Sequence, residues 1–150
     1  MVNPDFRDLL AEFNAAGVRC LVVKAHALAA HGHVRATRDL DVWVCPSQEN
    51  APRVIRALEA FGTPLHDLTE DDLLRPDLVF QIGVEPIRID VLTAIDGVEF
   101  EDAWSDRFAT SFGDVAVYVL SRRCLIQNKR AADRPRDRAD LDWLENEPEH

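Results

Sequence analysis

Hydrophobic residues near the start of the chain follow the spacing of an amphipathic helix. They occupy positions i, i+3, i+4 and i+7: Phe6, Leu9, Leu10 and Phe13. Asn3 can cap this helix, Pro4 suits its first position and Gly17 ends it. Similar signals predict further helices over 25–30, after Ser47 through Phe61, over 100–104, from Ser121 through Lys129, and from Pro135 through Leu144, with a short turn at 71–74.

Short apolar runs rich in β-branched residues lie between these helices and predict strands. They are found at 18–23, 38–44, 78–84, 86–93 and 115–120. Strands and helices alternate along the chain, without an internal repeat, a low-complexity tract or a linker. This order predicts one mixed α/β (α+β) domain over residues 1–150.

Composition narrows the function classes. The 150 residues are 47% hydrophobic and carry a net charge of −10, from 27 acidic and 17 basic residues. Extensive nucleic-acid binding is disfavoured, because phosphate neutralisation needs a basic surface. Neither an apolar run near 20 residues nor an N-terminal leader pattern is found, so we expect a cytoplasmic protein without membrane contact.

Three aspartates are placed to meet at one part of the predicted sheet. Asp39 and Asp41 are two residues apart in a strand, so their side chains share a face. Asp90 alternates in the same way between Ile89 and Val91, and it joins the pair if the two strands are neighbours. Adjacent carboxylates repel unless a cation lies between them, and they suit Mg²⁺ or Mn²⁺. The trio predicts a two-metal site, although acids at strand ends also commonly face water.

These motifs resemble the nucleotidyltransferase superfamily of the DNA polymerase β type, in its small bacterial form, the MNT-like and AbiEii-like proteins often encoded in toxin–antitoxin pairs. The family pattern is an apolar strand, a pair of glycines or glycine and serine, and an acid-apolar-acid-apolar run. Here it reads Leu21-Val22-Val23, Lys24-Ala25 and, after thirteen residues, Asp39-Leu40-Asp41-Val42. The segments 88–92 and 125–137 resemble the strand with the third acid and the C-terminal helical pair, so the resemblance covers nearly the whole chain.

The resemblance implies a nucleotidyltransferase fold, a short mixed β-sheet flanked by helices and followed by C-terminal helices. It also implies that Asp39, Asp41 and Asp90 are catalytic and bind Mg²⁺ or Mn²⁺, with an NTP as substrate. Asp90 would bind the metal that activates the acceptor hydroxyl, or accept its proton. The nucleotide would lie against Lys24 and Ala25.

Further nucleotide contacts are predicted on both sides of the aspartate strand. The resemblance assigns Lys129 of the C-terminal helical pair to a phosphate, whereas a solvated helix face explains this residue equally well. Arg35, Thr37 and Arg38 flank Asp39. These three residues could bind phosphate or ribose, or only balance the charge of the acids.

Lys24-Ala25 departs from the family pattern, because two side chains stand where glycines would let a triphosphate approach the backbone. Three arrangements stay open for Lys24. The ammonium could contact a phosphate, lie between Asp39 and Asp41 in place of the metal, or point into solvent.

The leading hypothesis is a Mg²⁺-dependent nucleotidyltransferase that moves a nucleoside monophosphate from an NTP to a hydroxyl of a protein, an RNA or a small molecule, with a toxin–antitoxin pair as one setting. The alternative is a catalytically impaired relative that acts as a binding module, such as an antitoxin that masks a co-encoded protein partner.

Two expectations concern polar residues elsewhere in the chain. Three histidines lack acid or cysteine ligands at metal spacing and are expected to pack as polar side chains: His26, His31 and His33. The last helix is expected to carry i,i+3 and i,i+4 ion pairs on its solvent-facing side, formed by Arg134, Asp137, Arg138 and Asp142.

Overall fold

The computed structural model describes residues 3–34, 37–83 and 87–146. The α-helices in these ranges are α1 (Pro4–Ala15), α2 (Lys24–Ala30), α3 (Ala51–Phe61), α4 (Phe100–Ser105), α5 (Arg122–Ala132) and α6 (Pro135–Asn146). The strands are β1 (Cys20–Val23), β2 (Asp39–Val44), β3 (Val79–Ile82), β4 (Arg88–Leu92), β5 (Phe108–Phe112) and β6 (Val115–Val119). A short 3-10 helix spans Asp72–Leu74, within the turn predicted there.

The strands form one mixed sheet in the order β3-β4-β2-β1-β6-β5. β2 runs parallel to β4 and antiparallel to β1, while β1 runs parallel to β6. The edge strands β3 and β5 pair antiparallel with β4 and β6. This arrangement confirms the mixed α/β prediction.

The central strands are apolar because both faces of the sheet are covered. β2 is buried along nearly its whole length, and the Trp43 ring meets Phe100 of α4 edge-on at 5.0 Å between centroids. α1 packs against α3 and against β6, while α5 packs against α6. No helix in the described part of the chain is long and apolar enough to cross a bilayer.

Two of the predicted helix caps are confirmed. Oδ1 of Asn3 accepts hydrogen bonds from the backbone of Asp5 and Phe6 at 2.9 and 3.4 Å, and Pro4 opens α1. Oγ of Ser121 accepts one from the Cys124 backbone at 3.1 Å at the start of α5. Each side chain satisfies backbone donors that the helix itself leaves free.

The cap predicted at Ser47 is wrong, because α3 begins later, at Ala51. Ser47 instead closes a preceding turn, where its Oγ accepts from the Asn50 backbone at 3.2 Å. The buried Asn50 side chain joins two segments by accepting from the Arg19 backbone at 2.8 Å and donating to the Cys45 carbonyl at 3.0 Å. Long-range hydrogen bonds therefore place the start of α3.

Strand β5 is missing from the sequence prediction. It forms a hairpin with β6 around Gly113, which has a positive φ of 62°. The strand begins and ends with an aromatic residue, Phe108 and Phe112. It lies at the edge of the sheet, however, and most of its residues are exposed. An exposed edge strand lacks the regular apolar side from which a strand is predicted.

Candidate active site

Asp39, Asp41 and Asp90 lie on neighbouring parallel strands. The register of β2 and β4 pairs Asp41 directly with Asp90. Paired residues share a face of the sheet, so the three carboxylates project from the same side. β1 ends beside them, because Val23 pairs with Asp41 and the next residue, Lys24, begins α2. The topology thus brings two strand starts and one strand-to-helix junction together.

Asp41 and Asp90 are nearly buried, with exposed fractions of 8% and 7%. Burial raises the pKa of Asp41 above its usual value, against the opposing charge of Lys24. Burial likewise raises the pKa of Asp90, against the opposing charge of Arg88. Both shifts have the same cause, because burial removes the water that stabilises an ionised carboxylate.

Among the described residues, Lys24 and Arg88 bring positive charge to this cluster. Nζ of Lys24 lies 3.5 Å from Oδ1 of Asp41. Nη2 of Arg88 lies 3.3 Å from Oδ2 of Asp90 and 3.5 Å from Oδ2 of Asp39. Of the three arrangements left open for Lys24, the position between Asp39 and Asp41 is met only in part, because the ammonium contacts Asp41 while 44% of the side chain stays exposed.

Some carboxylate oxygens in the cluster have no partner. Oδ1 of Asp39 and Oδ1 of Asp90 are buried without a hydrogen bond to any described residue. Such oxygens are costly to bury and are the ligands that a hard divalent cation prefers, so the donor set fits Mg²⁺ or Mn²⁺. In the arrangement of the described residues, however, no group of three or more acidic, histidine or cysteine side chains could hold a metal ion.

A pocket of about 140 Å³ opens at these carboxylates. Six of the predicted positions line it: Lys24, Ala25, Thr37, Asp39, Asp41 and Lys129. Asp90 does not line the pocket and reaches the cluster through its pairing with Asp41. Arg88 of β4, Arg134 just before α6 and Arg136 of α6 also line it, so the pocket combines acidic residues of β2 with several basic side chains.

Lys129 is buried, and the solvated-face interpretation of this residue is wrong. Its exposed fraction is 4%, and its Nζ lies 3.3 Å from Oδ1 of Asp137 and 3.3 Å from Oδ2 of Asp140. Both acids belong to α6 and are 1% exposed. A buried ammonium requires counter-ions, and these two carboxylates hold Lys129 as a fixed positive charge at the pocket.

The expectation that Asp137 faces solvent is therefore also wrong. Its Oδ2 accepts hydrogen bonds from Nε of Arg134 at 2.6 Å and from the Arg134 backbone at 3.1 Å. Burial acts to raise the pKa of Asp137, but these hydrogen bonds and the charge of Lys129 outweigh it and hold the pKa below its usual value. Arg138 pairs on the exposed side with Asp133 instead, at 2.8 Å.

The remaining predicted nucleotide contacts differ in their placement. Thr37 is exposed, and its hydroxyl lies 3.2 Å from the backbone oxygen and 3.3 Å from the backbone nitrogen of Asp39. The Arg38 side chain is exposed next to the start of β2. Arg35 lies outside the described residues.

The three histidines pack separately, as polar side chains. His26 lies among aromatic rings, where burial lowers its pKa. A ring nitrogen of His31 lies 2.8 Å from the carbonyl oxygen of Leu120. His33 stacks on Trp143 of α6 with 4.5 Å between ring centroids.

A larger cavity, of about 530 Å³, lies at the opposite end of α2. Its basic residues are engaged by neighbours, since Nε of Arg123 lies 3.1 Å from Asp106 and the Arg107 guanidinium lies 4.1 Å from the Trp104 ring centroid. No predicted site residue within the described ranges lines this cavity. The smaller pocket at the aspartates is therefore the candidate active site.

Sequence reasoning missed Arg88, Arg134 and Arg136. Arg88 was detectable, because it precedes Asp90 by two residues in a strand and must share its face. Arg134, just before α6, and Arg136, within α6, carry no such signal. Their position depends on the packing of α5 against α6, which no local pattern specifies.

The six-stranded mixed sheet and its flanking helices match a nucleotidyltransferase fold. Among solved structures, the chain is similar to the crystal structure of the lincosamide antibiotic adenylyltransferase LnuA with lincomycin bound, with a TM-score of 0.60 and 16% sequence identity. The similarity covers 97% of this chain and 98% of LnuA. No protein-family model matches the chain, and no curated protein sequence matches it.

Proposed function

We propose that this protein transfers a nucleoside monophosphate from an NTP to a hydroxyl group, with Asp39, Asp41 and Asp90 as the catalytic acids and metal ligands. The observation that carries this proposal is the register pair of Asp41 and Asp90, of which Asp41 lines a pocket supplied with basic side chains. Mg²⁺ or Mn²⁺, when bound, would stabilise the charge on the reacting phosphate and increase the acidity of the acceptor hydroxyl.

The chemical change is a substitution at the α-phosphorus of the NTP. The acceptor oxygen forms the new O–P bond, the bond from the α-phosphorus to the bridging oxygen breaks, and pyrophosphate leaves. In this proposal Asp90 accepts the acceptor's proton; its pairing with Asp41 and its raised pKa support that role.

The NTP phosphates would be held by the basic side of the pocket. Lys24 and Lys129 are the lysines that line it, and Arg134 and Arg136 join them from the start of α6. Ala25 and Thr37 leave room at the pocket wall because their side chains are short. Arg35 and Arg38, which flank the aspartate strand, stay proposed contacts for phosphate or ribose.

For the acceptor we propose a small hydroxylated molecule or a hydroxyl of a partner protein. The net charge of −10 opposes an extended RNA contact. LnuA is described as an adenylyltransferase of lincosamide antibiotics, which are small molecules. The toxin–antitoxin setting and the cytoplasmic location stay predictions from the sequence.

The first test is calorimetry with ATP, GTP, CTP and UTP, each with and without Mg²⁺. Metal-dependent binding of at least one NTP is expected, and the absence of any binding would overturn the proposal. α-Labelled NTP is then incubated with the protein, with lincomycin, with RNA and with the product of the neighbouring gene, to find which of them takes up label.

A double substitution, Asp39→Asn with Asp41→Asn, should abolish labelling without unfolding the protein. The matched control is Asp71→Asn with Asp77→Asn, which removes two exposed carboxylates outside the pocket and should leave labelling unchanged. Equal labelling by the site variant and the control would show that Asp39 and Asp41 are not the catalytic acids.

One observation favours a second function, that of a non-catalytic binding module. Lys24 and Arg88 partly neutralise the three carboxylates. This reading predicts no labelling of any acceptor, together with binding of the co-encoded partner that survives the Asp39→Asn, Asp41→Asn change. Transfer of label by the unaltered protein would exclude it.

A further inference from the structure

Lys24 has a backbone conformation that is unusual for a side-chain-bearing residue. Its φ is +60°, and it stands between the end of β1 and the first turn of α2. This region costs an L-residue about 1 kcal/mol or more, which glycine avoids. Strain of this kind persists where the surrounding structure enforces it, so the backbone of Lys24 is held in this conformation at the junction.

The junction directs the side chain to the carboxylate cluster. Val23 pairs with Asp41, so the residue after Val23 leaves the sheet beside that aspartate. Nζ of Lys24 lies 3.5 Å from Oδ1 of Asp41, and the two side chains are 44% and 11% exposed. The ammonium thus contacts a nearly buried carboxylate while much of the lysine side chain stays in solvent.

The two cations of the cluster are not equivalent. Arg88 lies within the sheet, contacts both Asp39 and Asp90, and its side chain is 30% exposed. Lys24 contacts one carboxylate from the solvent side and has a flexible stem. A lysine ammonium is also a compact point charge that changes partner without a defined bidentate geometry.

We propose that Lys24 is an exchangeable counter-cation, which holds Asp41 in the metal-free protein and gives up that position when a divalent cation enters together with the nucleotide. The inference rests on the proposed function, because the triphosphate is what then accepts the ammonium. Metal alone must displace Lys24 into water, whereas metal with nucleotide moves it from one anion to another.

Metal and nucleotide binding should therefore be coupled through this one side chain. Coupling between two ligands is reciprocal, so the nucleotide raises metal affinity by the factor by which metal raises nucleotide affinity. A lysine that only binds phosphate, or only supports the fold, would leave the affinity for metal alone unchanged.

The test measures Mn²⁺ affinity without nucleotide, from the electron paramagnetic resonance signal of free Mn²⁺, in the full chain and its variants. Lys24→Met should bind Mn²⁺ about tenfold more tightly than the unaltered protein. Lys24→Arg keeps the charge and should stay weak. Arg136→Met removes the same charge from an exposed residue of the same pocket without touching Asp41, and should change Mn²⁺ affinity much less than Lys24→Met does.

Lys24→Gly provides a second variant if Lys24→Met does not fold, because glycine accepts the positive φ. Tighter binding of Mn²⁺ by Lys24→Met or Lys24→Gly, with a smaller effect of added nucleotide, supports the exchange. Equal Mn²⁺ affinity in the unaltered protein and both variants overturns it, as does the absence of Mn²⁺ binding in all of them.

Failure of this inference and failure of the proposed function are separable. The proposed function depends on metal-dependent binding of an NTP by the unaltered protein, which is measured by calorimetry in parallel. Metal-dependent NTP binding with unchanged Mn²⁺ affinity in the Lys24 variants would overturn the exchange alone.

Discussion

Asp41 and Asp90 are paired in register on neighbouring parallel strands, and both side chains are nearly buried. Burial is the main cause of the raised pKa of both groups, and the charges of Lys24 and Arg88 only partly oppose it. The ionised cluster is therefore destabilising in the metal-free fold, a common property of sites that are built to bind a cation.

Asp90→Asn should stabilise the metal-free protein. The amide has the size of the carboxylate but no charge, so it removes the destabilising ionised form. We expect the melting temperature in EDTA at neutral pH to rise by a few degrees, measured by circular dichroism. Asp77→Asn, at an exposed position, is the control and should not change it. A melting temperature of Asp90→Asn at or below that of the unaltered protein would contradict the prediction.

Gly97→Ala should destabilise the fold by about 3 kcal/mol. Gly97 has a φ of +75°, and an added Cβ would lie 2.4 Å from the Ala131 Cβ in α5. Gly17→Ala isolates the backbone contribution, because Gly17 has a φ of +71° with nothing within 4 Å of an added Cβ, and should cost about 1 kcal/mol. Urea unfolding gives both values.

The contact between Gly97 and Ala131 can be tested by a double-mutant cycle. Combining Gly97→Ala with Ala131→Gly removes the close approach, so the loss of stability should be smaller than the sum of the single losses. Additive losses would show that the distance to Ala131 does not limit this position.

The placement of the aspartates could be predicted because it depends on local patterns. Alternation along a strand fixes the face of Asp39 and Asp41, and the same rule applies to Asp90. The strands β2 and β4 are neighbours because of the sheet order. The sequence motif implied this order only through its resemblance to a family.

The environment of Lys129 could not be predicted in the same way. Helical periodicity assigns charged residues to the solvent side, and by that rule both Lys129 and Asp137 should be exposed. Burial of this pair depends on a close approach of α5 and α6 and on mutual neutralisation, which single-helix patterns do not contain. The backbone strain at Lys24 could not be predicted either, because a sequence gives the residue type but not its φ.

Lys129→Met should lower the free energy of unfolding by about 3 kcal/mol. The substitution leaves Asp137 and Asp140, both buried, without the ammonium that lies 3.3 Å from each. Arg130→Met is the matched control, because Arg130 is the next residue on α5 and forms an exposed ion pair with Glu145. Its expected cost is below about 1 kcal/mol. Equal losses for the two variants in urea unfolding would show that the buried pairs do not stabilise the α5–α6 contact.

The stabilisation by Asp137 should depend on pH. Its pKa in the folded protein lies below the usual value, so the folded state binds the Asp137 proton more weakly than the unfolded state does. The contribution is therefore fully present above the unfolded pKa, about 3.9, and is lost as the pH falls through the lower folded pKa. The cations that face this carboxylate are Lys129 and Arg134.

The pH dependence of Asp137 is measured as the difference in unfolding free energy between the unaltered protein and Asp137→Asn. This difference should be about 2 kcal/mol at pH 7, hold to about pH 5, and shrink as the pH falls below about 4. Asp142→Asn, at an exposed position of the same helix, should give a small difference that does not change with pH. A difference for Asp137→Asn that stays constant down to about pH 3 would mean that its charge does not stabilise α6, and that the hydrogen bonds to Arg134 act through geometry alone.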